Sequence, residues 1–417
     1  MSRNQPSYSF LLSIPAEILY LIYGGLDRQS LLQLAGTCRM FHGLCVPLIY
    51  RMIEDCAATV GTDTDMGDAA VTQQRSPARL KAFPLLLTLL RNPTIANQVE
   101  QISTLEMTTS HLQHDTDFLL AKTDPYSVPN PKFTLHHLRS ITIRLELKNY
   151  VNTTPANTDS IDISRINGLL HCAPNLASLT IYNASGSSSL TAQLPCLTSL
   201  RLIDSYLEGE GLKALTASCR RLMHFELACS IFAFLLPRVP STAIEVLGCL
   251  APSKHKLRRL LLQIEPYYMH REPVADSRFM GLETLGAFST LQQLTIDDRL
   301  LVRKGKSDDA ALVRLIEDCP TLEGLHLVGV SNLSADELAC FARAVESGRW
   351  PKLSKLKIQS RRRMAPPARR AIEESWQRFS AMLQSDLAAQ AMDILRSKRV
   401  IVTVVSGFVP TSPFADD

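Results

Sequence analysis

The sequence predicts an α/β chain in which a small helical unit precedes an irregular solenoid of strands and helices. Three observations predict it. Apolar residues from about Phe10 to Ala58 recur at helical spacing. Further on, a phrase recurs: an apolar residue, two spacers, an apolar residue, one spacer, a third apolar residue. Several segments between its copies carry helical periodicity. The chain has 417 residues, more than one compact core usually serves, so several units or one elongated repeat are expected.

The helical unit spans residues 8–58. Pro15 suits a first helical turn, where its missing N–H leaves nothing unpaired. Glu17 favours the positive end of the same helix. Ile18 and Ile22 form one pair four apart, and Leu19 and Tyr23 form another. A second helix is predicted from near Ser30, a capping residue type, with Leu31, Leu34, Ala35 and Cys38 at helical spacing. Phe41 and Leu44 belong to a third helix, and Pro47 opens a fourth. Residues 59–79 lack any hydrophobic period and read as a flexible linker. An apolar helix over Leu80–Arg91 follows.

The phrase occurs at Leu138-Ile141-Ile143, Leu176-Leu179-Ile181, Leu197-Leu200-Leu202 and Leu222-Phe225-Leu227. It returns at Leu257-Leu260-Leu262, Leu291-Leu294-Ile296, Leu322-Leu325-Leu327 and Leu353-Leu356-Ile358, with an earlier copy near Val99-Ile102. The last two apolar residues of each phrase are two apart and face one side of a short strand. The leading leucine packs where the chain turns into that strand. One such unit cannot bury its apolar face alone, so residues 80–360 are expected to stack as a solenoid. The spacing between phrases is irregular, from 21 residues (Leu176 to Leu197) to 38 (Leu138 to Leu176). Gly211–Leu215 and Asp336–Ala342 are the clearest intervening helices. Thr108–Lys132, Asn149–Ser160 and Pro266–Ser277 read as loops. Residues 361–417 are predicted to add a long helix from Ala368 to Arg396, a capping strand over Val400–Val405 and a frayed tail from Pro410.

The formal net charge is +4, from 44 basic and 40 acidic residues, which gives no reason to expect nucleic acid as the main partner. The first residues are too short and interrupted in apolar character for a signal peptide, and no run is long enough to span a bilayer. A chain in the cytosol or nucleus, with no membrane partner, is expected. Its ten cysteines are then reduced thiols. The acceptor patterns at Asn152, Asn183 and Asn332 read as chance matches. There is no GxSxG, P-loop, HExxH or CxxC, and His111, His114, His136 and His137 have no ligand companions. No catalytic residue, cofactor or metal is expected. Arg361, Arg362, Arg363, Arg369 and Arg370 form a basic cluster, read as a solvated loop before a helix, with a nuclear signal or a patch for an acidic partner as the alternatives.

The helical unit resembles the F-box family. The residues that carry the resemblance are Ile14-Pro15-Ala16-Glu17-Ile18-Leu19, Ile22, Leu31-Leu32-Gln33-Leu34-Ala35, Thr37-Cys38-Arg39-Met40-Phe41 and Pro47-Leu48-Ile49-Tyr50-Arg51. The repeat region resembles cysteine-containing leucine-rich repeats, best at Leu200-Arg201-Leu202, Leu207, Glu210-Gly211-Leu212, Leu215 and Cys219-Arg220-Arg221-Leu222. Cys172, Cys219 and Cys319 each stand shortly before a strand phrase and read as buried structural thiols. Leu90–Val99 is similar to a segment common in fungal F-box proteins. The chain departs from the repeat pattern in its uneven lengths and in Ser205 and Val330, where asparagine or cysteine is usual.

The resemblance implies that the helical unit binds a Skp-type adaptor, and through it a cullin. The implied contacts are Ile14, Pro15, Ile18, Leu19, Ile22, Leu31 and Leu32. It implies a substrate-recognition subunit of an SCF-type ubiquitin ligase, a non-catalytic receptor whose repeats hold an unknown target protein. The alternative is a non-degradative scaffold that binds the adaptor without a cullin. Thr180, Arg201, Glu226, Thr295, His326 and Lys357, the spacers of the strand phrases, are expected to be exposed on the target-facing side.

Overall fold

A computed structural model describes residues 16–23, 25–26, 28–53, 99, 101–107, 135–145, 161–186, 192–203, 205–207, 209–229, 242–264, 281–301, 308–330, 333–361 and 377–407. The predicted linker at 59–79, the Leu80–Arg91 helix, the loops at Thr108–Lys132, Asn149–Ser160 and Pro266–Ser277, and the tail from Pro410 lie outside the described residues. So do Ile14, Pro15, Asn152, Asn332, and Arg362, Arg363, Arg369 and Arg370 of the basic cluster.

Helices α1 (Ala16–Tyr23), α2 (Arg28–Ala35) and α3 (Arg39–Arg51) form the first unit. Its core is Leu19, Tyr23, Leu31, Ala35, Cys45 and Ile49, separate from the rest of the apolar interior. The Tyr23 and Phe41 rings meet edge to face at 6.0 Å. Helix α2 starts ahead of Ser30, and α3 continues through Pro47, so the third and fourth predicted helices are one. Proline lacks the N–H that would bond the carbonyl of Gly43. Gly43 is exposed, so water can take that bond.

From α3 the chain passes into β1 (Met52–Ile53), which pairs in parallel with β2 (Gln101–Met107). The sheet continues through β3 (Ser140–Leu145), β5 (Ser178–Tyr182), β7 (Ser199–Ile203), β9 (His224–Cys229) and β10 (Arg259–Ile264). It ends with β11 (Gln293–Asp297), β12 (Gly324–Val328), β13 (Lys355–Arg361) and β14 (Ile401–Gly407). All eleven strands are in chain order, and every pairing is parallel. All eight phrases, and the earlier copy at Ile102, fall on these strands. The register carries one apolar row through Ile141, Leu179, Leu200, Phe225, Leu260, Leu294, Leu325 and Leu356. A second row runs from Ile143 through Ile181, Leu202, Leu227, Leu262, Ile296, Leu327 and Ile358.

Helices α4 (Asn167–Cys172), α5 (Gly209–Ala217), α6 (Ala243–Leu250), α7 (Ala311–Ile316), α8 (Ala335–Glu346) and α9 (Asp386–Ser397) lie in the crossovers and share one apolar cluster with both rows. Each strand or helix leaves half its surface apolar, and stacking in sequence order covers it. Ser334 and Ser385 cap α8 and α9 by accepting the N–H of Glu337 and Ala388. The long predicted C-terminal helix is therefore interrupted: residues 377–383 are helical, and Ser385 starts α9 afresh. Strand β14 is the last strand of the sheet and pairs with β13, with Ile401 and Val404 exposed.

The leading leucines have a common backbone role. The N–H of Leu138, Leu176, Leu197, Leu222, Leu291, Leu322 and Leu353 each donates three residues back, at 3.0–3.2 Å, to Leu135, Ala173, Leu194, Cys219, Phe288, Cys319 and Trp350. Cys219 and Cys319 thus share a turn position, buried as expected. Cys172 stands one residue earlier, only half-buried, and Ala173 takes the equivalent place. The eight cysteines with described side chains are free.

A second, three-stranded sheet links β4 (Ile161–Asp162), β6 (Ala184–Gly186) and β8 (Tyr206–Leu207). Asn183 turns the chain from β5 to β6 in the left-handed region (φ 57°), which asparagine tolerates, and its N–H donates to Ile203. It is buried, so it offers no accessible glycosylation site. Ser205 is fully buried, accepts the N–H of Ala184 at 3.1 Å and donates to the Ile203 carbonyl at 2.9 Å. A hydroxyl thereby bonds the turn backbone.

Candidate functional site

Two surfaces stand out, one on the helical unit and one on the sheet. On α1, Leu19 and Tyr23 turn into the helical core. Ile18 and Ile22, one residue ahead of each, sit about 100° round the helix and face solvent. Helix α2 repeats the division, with Leu31 and Ala35 inward and Leu32 outward. Ile18, Ile22 and Leu32 are 46%, 52% and 54% exposed, and Leu26, in the turn between the helices, is 39% exposed.

The implied adaptor contacts therefore separate. Ile18, Ile22 and Leu32 are available to a partner. Leu19 and Leu31, at 1% and 5% exposure, are not: their side chains close the unit's own core. Ile14 and Pro15 lie outside the described residues. Leu26, which the sequence reading passed over, belongs with the exposed group. Its signal was an apolar residue in a Gly- and Asp-containing turn, where no internal core requires one.

The second surface is the sheet face turned away from the two apolar rows. The register aligns Thr142, Thr180, Arg201, Glu226, Leu261, Thr295, His326 and Lys357 in one line across the strands. All six spacers predicted to be exposed lie in this line, but Thr180, Glu226, Thr295 and His326 are buried. Arg201 and Lys357 are half-buried. The reason is the ladder itself: in-register neighbours about 4.8 Å apart shield one another's flanks.

Within the line, the Arg201 Nε donates to Glu226 Oε2 at 2.6 Å. Glu226 is 3% exposed, and its Oε1 has no hydrogen-bond partner. Burial pushes the Glu226 carboxyl up, while the bond and charge of Arg201 oppose the rise. The pair lines a shallow depression of about 80 Å³ with Ser199, His224, Phe225 and Arg259. Burial, then Arg259 and Arg258, hold the His224 imidazole below its usual range.

His326 and Gln359 meet at 2.9 Å, the Nε2–H donating to Oε1 of the amide. Burial, with a smaller contribution from Lys357, pushes the His326 imidazole down to about 4. The folded value lies below the ordinary 6.5, so the native state holds fewer protons than the unfolded chain between the two. The stability contributed by the neutral ring is complete above about pH 6.5 and is lost as pH falls toward 4. The full span corresponds to roughly 3 kcal/mol. His326→Gln is expected to flatten that part of the pH–stability curve, measured by urea unfolding across the window.

Among the described residues no group of histidine, cysteine and carboxylate side chains could hold a metal, and no helix is long and apolar enough to cross a membrane. The surfaces offer contact, charge and hydrogen bonds to another molecule. No protein-family model matches the chain, and no curated protein resembles it significantly in sequence.

Proposed function

We propose that the chain is the substrate-recognition subunit of an SCF-type ubiquitin ligase. In this reading the helical unit is an F-box that docks on a Skp-type adaptor. The sheet and its helices are an irregular leucine-rich-repeat solenoid that holds a target protein. The chain performs no bond chemistry. It raises the effective concentration of the target near a charged conjugating enzyme that arrives through the cullin.

The observation that carries the reading is the exposure of four large apolar side chains of the helical unit, Ile18, Ile22, Leu26 and Leu32. Among the described residues these four side chains take no part in the unit's core. Full burial against a partner stabilises by roughly 1.5–3 kcal/mol per Leu or Ile, before association costs are subtracted. The F-box-like sequence pattern from Ile14 to Arg51 supports the adaptor as that partner. A parallel sheet stacked in chain order suits the second half of the reading, because it presents a long continuous face.

The test is affinity purification of the full-length chain with purified adaptor and cullin. Capture of both supports the receptor. Capture of adaptor without cullin moves the conclusion to the non-degradative scaffold. Failure to capture the adaptor at all rejects both.

A further inference from the structure

The sheet ends on a strand that lacks a neighbour on one side. Strand β14 pairs with β13 over all seven of its residues, from Lys355↔Ile401 to Arg361↔Gly407, without a break in register. Among the described residues no strand pairs with its other edge. The apolar rows show what this leaves open. The register continues the second row from Ile358 to Val404. Every member of that row from Ile143 to Ile358 is buried, with a further strand beside it, whereas Val404 is 42% exposed. Val402 continues the first row after Leu356 and is half-buried. On the opposite face Ile401 is 63% exposed.

Edge strands are ordinarily kept from further pairing by charge, proline, a bulge or shortness. At the other end of the sheet β1 is two residues long. Strand β14, Ile401-Val402-Thr403-Val404-Val405-Ser406-Gly407, has none of these protections. It holds no charged residue and no proline, and its first five residues are β-branched, the type that favours strands. Its chemistry also suits a copy of itself. Two such strands overlap fully in antiparallel register only when Val404 faces Val404. Thr403 then opposes Val405, Val402 opposes Ser406 and Ile401 opposes Gly407, so no opposed pair carries charge. The charges beside the strand choose its direction. Lys398 and Arg399, just ahead of it, are exposed and have no side-chain partner among the described residues. Parallel pairing of two copies would set these cations about 5 Å from their counterparts. Antiparallel pairing separates them by roughly 30 Å, well beyond the screening length. It also turns each basic end toward the far end of the other strand, where the chain continues into residues 408–417, which include two aspartates and no cation.

We propose that β14 pairs with β14 of a second copy of the chain, antiparallel about a two-fold axis at Val404, and joins two sheets into one. Such pairing is closed, because the axis uses the same edge on both copies and leaves no β14 free to add a third. Two seven-residue strands make a contact smaller than the ~1,600 Å² of a standard interface, so the dimer is expected to dissociate on dilution. Dimerisation through β14 does not depend on the receptor reading. Where both hold, one assembly presents two helical units and two repeat surfaces, which strengthens capture of a target by avidity.

The experiment is sedimentation velocity of the full-length chain over a concentration series. The native chain is expected to pass from monomer to dimer as concentration rises, and to go no further. Val404→Lys sets two like charges face to face on the axis and should weaken association by about tenfold or more. Val404→Asp should do the same. An equimolar mixture of the two variants should recover the dimer, because each Lys then opposes an Asp across the axis. Thr403→Lys, at an exposed position on the opposite face of the strand, should weaken association in the same direction. Ile244→Lys on α6, similarly exposed and on another element, should leave it unchanged. Thermal unfolding of each variant is expected to match the native chain, since every substituted side chain is already exposed. A native chain that stays monomeric leaves the edge to a strand of another protein and overturns the proposal. So does growth beyond the dimer, a dimer indifferent to both Val404→Lys and Thr403→Lys, or a mixture of the Lys and Asp variants that stays monomeric.

Discussion

Ile22→Asp combined with Leu32→Asp is expected to abolish adaptor capture while leaving the thermal unfolding of the chain essentially unchanged. Both side chains are more than half exposed, so the native state gives up little when they become polar. Substitutions at such positions usually stay within about 0.5 kcal/mol of neutral. A docked partner, by contrast, has to bury two carboxylates where it buried two apolar groups. The lost apolar contact and the added desolvation together should weaken capture roughly 100-fold or more. Leu19→Asp also abolishes capture, but for another reason. Leu19 is 1% exposed among Tyr23, Leu31 and Ile49, and a charge there unfolds the helical unit. Circular dichroism alongside the capture assay distinguishes the two. Undiminished capture by the Ile22/Leu32 variant would remove the exposed patch as the docking surface.

Trp350→Ala is expected to be the most damaging single truncation in the repeat region, costing about 3–5 kcal/mol. Trp350 is among the largest side chains buried below 2%, and it occupies the turn position filled elsewhere by Cys219 and Cys319. Its ring stacks on Phe341 of α8, centroids 5.5 Å apart and planes 25° from parallel. Its Nε1–H donates to the carbonyl of Ile316 at 2.8 Å, at the end of α7. One side chain therefore joins two successive crossovers, so its loss opens a cavity and orphans a buried carbonyl together. Trp350→Phe keeps most of the volume and loses the bond, and should cost less, about 1–3 kcal/mol. Urea unfolding of both variants measures the difference. Equal losses would mean that the hydrogen bond carries the site and the volume does not.

Trp350 also illustrates what stayed hidden in the sequence. Nothing in its local pattern separates it from an isolated tryptophan before a strand. Its equivalence to Cys219, Cys319 and Ala173 appears only when the turn hydrogen bonds align the units. Helix α6 is a different case, because its signal was present and passed over. Thr242 and Glu245 carry the capping-box spacing, and each side chain bonds the other's backbone in the folded chain. Pro47 misled in the opposite direction: read as a helix start, it lies inside α3 because burial of Cys45 and Ile49 holds the helix together across it. At the candidate sites, Ile18, Leu19, Leu31 and Leu32 look alike as letters. Which of them a partner can reach depends on how α1, α2 and α3 cross.

The strands were legible from sequence alone. A period of two apolar residues behind a leading leucine is a local property, and it located β3, β5, β7, β9, β10, β11, β12 and β13 before any contact was known. The apolar content of the helical unit was legible for the same reason. Tertiary structure alone decided which apolar residues the helical unit keeps and which it leaves outward. It also decided that the spacers of the open face are mostly buried. Periodicity acts along the chain within a few residues. Exposure and electrostatic potential are sums over neighbours that the chain brings together from 25 to 36 positions away, as with Arg201 and Glu226 or Arg139 and Asn175.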